Sequence, residues 1–398
     1  MTDGAPVVDG PRVDGGLVIR CVTDSEALAS SAAAWDRLVR GRINALPFNT
    51  YAWVSAFVEH RLRPGESWAC IQAWRGGDLL GVLPLTLRRA RLLGCVRTIA
   101  STPFDDHTQF SSILTSQGTE DVVVPALLAE AVRLTPGLAM VELQGLRAES
   151  PRPQESLRSQ WRQLEVPSDE GGFLPIGSDF AAYRASLSRR LRSNLNRATR
   201  KLVGHADVAF ECTHGGDAST DALEEFMAVE AAGWKGASGT AIACSEDLVR
   251  FYATLTRRLA ASGWLEWQTL RVDGRAIASA LAVAMGARIF LVKVGFRPEF
   301  ADLSPGMLLV ERVIERAFAD GLNEVDFLTN PPWIQPWQLQ ARTSEYVRLY
   351  PRRTREGLVA YGLHRLARIM KGLPLVVPFG RKVRRVLRRQ PVEGDHVR

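Results

Sequence analysis

The tripeptide Ser304-Pro305-Gly306 opens the amphipathic run SPGMLLVERVIERAFADG, directly behind the apolar stretch IFLVKVGF and the loop RPEFADL. Serine is favoured ahead of a helix, proline suits the first turn because its missing N–H has no partner there, and glycine admits a ligand close to the backbone. The free N–H groups and positive dipole end of such a helix suit a pyrophosphate, although the tripeptide is equally a plain helix start. In LSRRLRSNLNRATRKL, Leu187, Leu191, Leu195, Ala198 and Leu202 share one helical face, while Arg190, Asn194, Arg197 and Lys201 share another. That second face is either a basic ladder for phosphates or an anionic acceptor, or a solvated surface. Trp333 and Trp337 stand four apart among prolines in DFLTNPPWIQPWQ, beyond a strand end where α/β folds place ligands; they line a pocket or plug the sheet edge. His107, in FDDHTQF, reads as a polar loop, because no other segment supplies metal ligands at a familiar spacing. No GxSxG, HExxH, Walker A or GxGxxG run is present, so hydrolase, zinc and nucleotide-motor chemistries lack their signatures.

Periodicity predicts the elements that carry these residues. Residues 1–16, acidic and rich in Gly and Pro, predict a disordered lead-in that is neither signal nor transit peptide. Behind it come the strand LVIRCV, the helices SEALASSAAAWDRLVRG and TYAWVSAFVEHRL, and the strands of SWACIQAWRGGDLLGVLPLTLRR, turning at Gly76-Gly77-Asp78. The helix EDVVVPALLAEAVRL and the strand AMVELQGL complete the first half. Residues 147–172 lose the apolar rhythm and predict a linker holding one strand, WRQLEV. The second half repeats the order. After the basic helix come the strand DVAFECT, two helices (DALEEFMAVEAAGWKG and EDLVRFYATLTRRLAASG), and three strands turning at Asp273-Gly274 and Gly286. The helix from Ser304 and the strand NEVDFL close it. The matched order predicts two copies of one fold.

Composition bounds the class. With 46% apolar and 23% charged residues the chain has the balance of a globular protein with real cores, not a disordered one. Its net charge of +7, almost all arginine, fits an anionic ligand, a membrane surface or nucleic acid without choosing among them. Five scattered cysteines with no CxxC pair predict reduced thiols in a cytoplasmic protein and no metal. No stretch is long and apolar enough to predict a spanning helix. The tail YGLHRLARIMKGLPLVVPFGRKVRRVLRR mixes apolar and basic residues, which suits either peripheral contact with the inner face of a membrane or packing on the domain.

Four pieces of the second half, in order and spacing, carry a resemblance: LSRRLRSNLNRATRKL, EAAGWKGASGTAI, LRVDGRAIASALAV and VGFRPEFADLSPGMLLVERVIERAFADGLNEVDFL. Over roughly residues 180–340 the chain resembles the GNAT-like acetyltransferases named for cellulose biosynthesis (the CelD/BcsL type), which are related to the Fem aminoacyl transferases. The resemblance implies an α/β (α+β) fold of tandem GNAT-like (Fem-like) domains, each a mixed, mainly antiparallel sheet flanked by helices. The domains would span residues 17–170 and 171–350, the first a degenerate partner copy, with a basic amphipathic tail over 351–398. It implies acetyl-CoA as donor substrate, held by Val294, Phe296, Ser304, Pro305, Gly306 and Met307. Two departures stand out. Repeated glycines are missing from Glu299-Phe300-Ala301-Asp302-Leu303, and the family's Pro-Tyr-Lys-x-x-Trp-like run reads Pro332-Trp333-Ile334-Gln335-Pro336-Trp337, with Ile334 at the lysine position.

The activity so implied is acyl transfer to an amine or hydroxyl of a sugar or envelope-polysaccharide precursor. It needs no metal but does need a base for the acceptor proton. Glu230 and Asp326 are the candidates, Asp326 equally a buried structural carboxylate. Lys235 and Lys293, scarce as lysines are here, are candidates for a phosphate or an acidic acceptor, alongside Arg190, Asn194, Arg197, Trp234, Trp333 and Trp337. A Fem-like aminoacyl-tRNA-dependent transferase and a non-catalytic scaffold of an envelope-polysaccharide machine are the alternatives; sequence-specific nucleic-acid recognition is not expected.

Overall fold

The computed structural model describes residues 12–372 except 93–94, 148–149, 151–154, 205–206 and 219–220. The first half runs β1 (Arg12–Asp14), β2 (Leu17–Val22), α1 (Ser25–Ser30), α2 (Ala32–Arg40), α3 (Tyr51–His60), β3 (Ser67–Arg75), β4 (Asp78–Leu92), β5 (Cys95–Ser101), β6 (Leu114–Thr115), α4 (Glu120–Leu134) and β7 (Leu138–Arg147). A short helix, α5 (Glu155–Arg158), leads into β8 (Trp161–Pro175). The second half runs α6 (Phe180–Ser186), α7 (Arg189–Leu202), β9 (Val208–His214), α8 (Asp221–Ala232), α9 (Trp234–Ala237), α10 (Glu246–Ala261), β10 (Leu265–Val272), β11 (Arg275–Met285) and β12 (Arg288–Phe296). It ends with α11 (Pro305–Ala319), β13 (Glu324–Asp326), β14 (Gln340–Pro351) and α12 (Arg355–Gly372). The three expected hairpins form where left-handed backbone is available, with φ of 58° and 94° at Gly76 and Gly77, of 50° and 74° at Asp273 and Gly274, and of 58° at Gly286.

The strands make one sheet in the order β1-β2-β3-β4-β5-β7-β14-β8-β13-β12-β11-β10-β9, with β6 alongside β4. Each half holds an antiparallel meander and one parallel pair, β5 with β7 and β12 with β13, joined by α4 and α11 respectively. The centre is an exchange. β14, last strand of the second half, pairs with β7 of the first, and β8, which follows the first half, pairs with β13 of the second. β8 and β14 also pair with each other along most of their length.

Two expectations are corrected here. Residues 167–172, expected to be linker beyond the strand WRQLEV, continue it as the long strand β8, whose polar residues are held by ladder pairing with β14 along their length and need no apolar rhythm to hold their place. Arg12–Asp14, inside the lead-in expected to be disordered, pairs with β2; residues 1–11 and 373–398 lie outside the described residues.

Alternate residues of each strand feed opposite faces. In β11, Leu281, Val283 and Met285 join a core shared with Trp53 of α3 and Phe226 and Phe251 of α8 and α10. Ala278, Ala280 and Ala282 join the core under α7 and α11. The first core runs through both halves, α3 packing on α10 with Trp53 and Phe251 6.1 Å apart. Each large apolar side chain fully buried there contributes about 1.5–3 kcal/mol.

Candidate active site

β12 and β13 pair only over Arg288–Phe290 and Glu324–Asp326. Beyond that β12 continues to Phe296, while the chain leaves β13 through Leu328, in left-handed backbone at φ 62°. The two strands splay, and α11 starts beside the free end of β12. Ser304 departs from its expected role: its side chain makes no cap hydrogen bond and its φ is 48°. The 3₁₀ turn Pro298–Leu303 runs straight into α11, so Ser304 serves as the joint, its carbonyl accepting from the amides of Met307 and Leu308. Gly306 faces Phe296 so closely that a Cβ there would stand 3.4 Å from the ring, and Phe296 is 39% exposed. Pro305 has no N–H and the Met307 amide is taken by Ser304, so the Gly306 amide is the one left without a partner among the described residues of this turn; beside an open ring, with no side chain between them, it fits a CoA pyrophosphate and its pantetheine arm. Val294, on the same strand, and Met307, in the first turn of α11, pack at the edge of the α7–α11 core.

Of the basic ladder, Lys201 donates to the carbonyl and carboxylate of Asp302 at 3.1 and 3.2 Å, which fastens α7 to the turn ahead of α11. Arg190, Asn194 and Arg197 are exposed, and Arg197 donates to Asn194 at 2.9 Å. They line neither cavity described below.

Glu230, Lys235 and Lys293, separate in sequence, converge. The end of α8 crosses β12 at Gly295, where a Cβ would meet the Glu230 Cα at 3.1 Å, so any side chain there would push the crossing apart by a few tenths of an ångström. The buried Glu230 carboxylate accepts from Lys235 Nζ at 2.8 Å and the Ile242 amide at 2.9 Å, with Lys293 Nζ at 3.6 Å. Burial pushes its pKa up, but Lys293, Lys235 and the Ile242 amide outweigh that and hold it below the usual carboxylate range. It is therefore an ionised, satisfied anchor, not a free base. Burial, helped by Lys235, brings Lys293 down to about 8 against the pull of Glu230 and Asp105. Its ammonium sits 5.6 Å from the Tyr252 ring centroid. The Tyr252 hydroxyl meets His107 Nδ1 at 3.0 Å, and burial followed by the charge of Lys293 takes His107 down to about 4. His107 is thus neutral at pH 7, part of a polar chain linking the halves rather than a plain loop residue. Sequence reasoning overlooked this chain; the signal available was His107 itself, flanked by two aspartates.

Asp326 is the structural carboxylate. Arg147 grips it with both terminal nitrogens, Arg342 donates to it at 2.9 Å and to Glu324 at 2.7 and 2.8 Å, and the Leu328 amide donates at 2.7 Å. Trp337 and Ile334 are buried in the α7–α11 core, so Trp337 plugs and Ile334 is a core residue at the position of the family's lysine. Trp333 and Trp234 are 45% and 70% exposed. Above Asp326 a cavity of about 880 Å³ opens at the seam, lined by Phe104, Asp105, Gln109, Leu328, Asn330 and Tyr346 among others. Arg61 holds Asp105 at 2.7 Å, and the amides of His107 and Thr108 donate to it. Among the described residues no group of three or more His, Cys, Asp or Glu side chains is arranged for a metal ion.

Residues 189–337, the stretch that builds the splayed strands, α11 and the Glu230 cluster, match the acetyltransferase (GNAT) domain family. The chain is an acyltransferase by that domain, and its fold is Fem-like. FemX superposes with a TM-score of 0.56 at 13% identity, over 79% of this chain and 95% of FemX. The C-terminal domain of a putative lysylphosphatidylglycerol synthetase from Agrobacterium fabrum gives 0.49 at 11% identity, over 85% and 96% of the two chains. A tandem GNAT protein from the clavulanic acid biosynthesis pathway gives 0.43 at 12% identity, over 83% and 98%. No curated protein matches the chain.

Proposed function

We propose that the chain transfers an acetyl group from acetyl-CoA to an amine or hydroxyl of a sugar or envelope-polysaccharide precursor seated at the seam, in the manner of the CelD/BcsL type. The observation that carries this is the splay of β12 from β13 beside the open start of α11, inside the stretch that matches the acetyltransferase domain. The acceptor nucleophile attacks the thioester carbonyl, the C–S bond breaks, and the acceptor proton passes by way of a base to the departing sulfur, so that CoA leaves as its thiol. Lys293 has the pKa nearest neutrality in the cluster, and at pH 7 roughly a tenth of it is the free amine. Glu230 holds that amine beside the free end of β12.

Calorimetric titration with acetyl-CoA and with CoA tests the donor. One saturable site per chain, lost in Gly306→Glu, is expected, because the new carboxylate would crowd Phe296 and repel the phosphates. Absence of binding at millimolar ligand rejects acetyl-CoA as donor. The Fem-like fold favours a second reading, an aminoacyl-tRNA-dependent transferase, which acyl transfer from charged tRNA would reveal. CoA binding without thiol release across an acceptor screen would instead favour a scaffold.

A further inference from the structure

A second cavity, of about 360 Å³, opens on the first-half side of the seam, and Phe104 and Tyr346, edge to face at 5.6 Å, line both cavities. Arg61, Arg63, Arg88 and Arg348 line it, against the carboxylates of Glu66 and Glu142. Arg61 is taken by Asp105 at 2.7 Å, and Glu66 is taken by the backbone amide of Arg63 at 2.9 Å. Glu142 alone serves two guanidiniums, accepting from Arg348 at 2.9 Å and Arg88 at 3.3 Å, and also from the Ser101 hydroxyl at 3.3 Å. The Arg63 guanidinium is exposed and has no partner among the described residues. Positive charge is therefore in surplus, and most of the five N–H donors of each guanidinium remain uncommitted.

We propose that this cavity binds the phosphate or diphosphate group of the acceptor, whose nucleophile lies across the Phe104–Tyr346 wall in the seam cavity. Planar guanidinium forks match phosphate oxygens bidentately, whereas lysines, the point-charge alternative, do not line the cavity. Three buried hydroxyl residues, Thr86, Ser101 and Thr102, also line the cavity. The acceptor role rests on the acyltransferase reading; the anion site does not.

The test titrates inorganic pyrophosphate, inorganic phosphate and acetate into the full chain, with and without saturating CoA. It is repeated on Gly306→Glu, on the double variant Arg63→Ala/Arg88→Gln and on Arg88→Lys, with thermal unfolding confirming that each variant is folded. Pyrophosphate is expected to bind alongside CoA and in Gly306→Glu, to weaken at least tenfold in the double variant, and to recover only partly in Arg88→Lys. Displacement by CoA together with loss in Gly306→Glu would put the anion at the donor site and overturn the proposal. So would wild-type affinity in the folded double variant, or acetate binding as tightly as pyrophosphate. Loss of CoA binding with pyrophosphate binding intact would reject the donor assignment and leave this site standing.

Discussion

His107 and Lys293 are both held against their ordinary protonation by burial, so stability rises with pH through each of two separate windows. His107 falls from 6.5 to about 4 on folding, so between those values the unfolded chain binds the extra proton. Stability is then lost as pH falls from about 6.5 to 4, by about 3 kcal/mol if His107 acts alone. Lys293 falls from 10.5 to about 8, so the unfolded chain again holds the extra proton between those values, and stability rises as pH climbs through that window. Urea unfolding at pH 4.5, 7 and 9.5 checks both. His107→Gln should flatten the acid slope and Lys293→Met the alkaline one; slopes identical to the parent chain would refute the burial argument. Glu230, Lys235 and Lys293 were each visible as candidates, yet their convergence was not, because it depends on Gly295, one glycine in an apolar strand. Asp326 was ambiguous for a related reason: its partner Arg147 lies 179 positions away.

The two connecting helices explain why a single donor site is expected. α11 opens with Pro305 and Gly306 and no acidic residue in its first turn. α4, in the matching place between β5 and β7, opens with Glu120 and Asp121, and Arg42 donates to Glu120 at 2.7 Å. Its dipole end is satisfied by the chain's own carboxylates, which would repel a pyrophosphate. α12 poses a different question. It is anchored on one side by Ala360 and by the 2.8 Å bond between His364 and Tyr350, while Leu358, Val359, Leu366 and Ile369 are exposed and fall within about 100° of one another on a helical wheel. No helix of the described residues is long and apolar enough to cross a membrane. An exposed apolar stripe followed in sequence by Arg381, Lys382, Arg384, Arg385, Arg388 and Arg389 suits an anionic bilayer surface. Co-sedimentation with phosphatidylglycerol vesicles should exceed that with phosphatidylcholine, weaken with salt, and drop at least tenfold in Leu366→Glu/Ile369→Glu. Equal recovery with both lipids removes the membrane as partner. The helices and hairpins were legible because amphipathic period and turn chemistry are local; β14 and the part of β8 beyond WRQLEV were not, and in β14 polar residues are held by partners such as Glu142 for Arg348 and Glu324 for Arg342.

The exchange of β8 and β14 decides whether the two halves can live apart. The expected boundary near residue 170 falls inside β8, and a chain of residues 171–350 would keep β14 but lose β7 and the first ten residues of β8. From Thr343 onward both flanks of β14 would be bare, unpaired edges that invite aggregation. Asp326 would lose Arg147, and removing one partner of a buried ion pair costs about 3–5 kcal/mol. Such a loss approaches the whole stability of a typical domain, about 5–15 kcal/mol. The shared core under α3 and α10 would also open, exposing Phe251 and Tyr252 and leaving Tyr252 without His107. Residues 171–350 expressed alone should therefore aggregate or unfold without a cooperative transition, while the full chain melts in one step, as differential scanning calorimetry can show. A sharp, reversible transition from the isolated second half would mean that the exchanged strands are a late embellishment of two self-sufficient domains. A single transition confined to the full chain would mean that the seam, with its two cavities and its Glu230–Lys293 and His107–Tyr252 links, is the structural centre on which both halves depend.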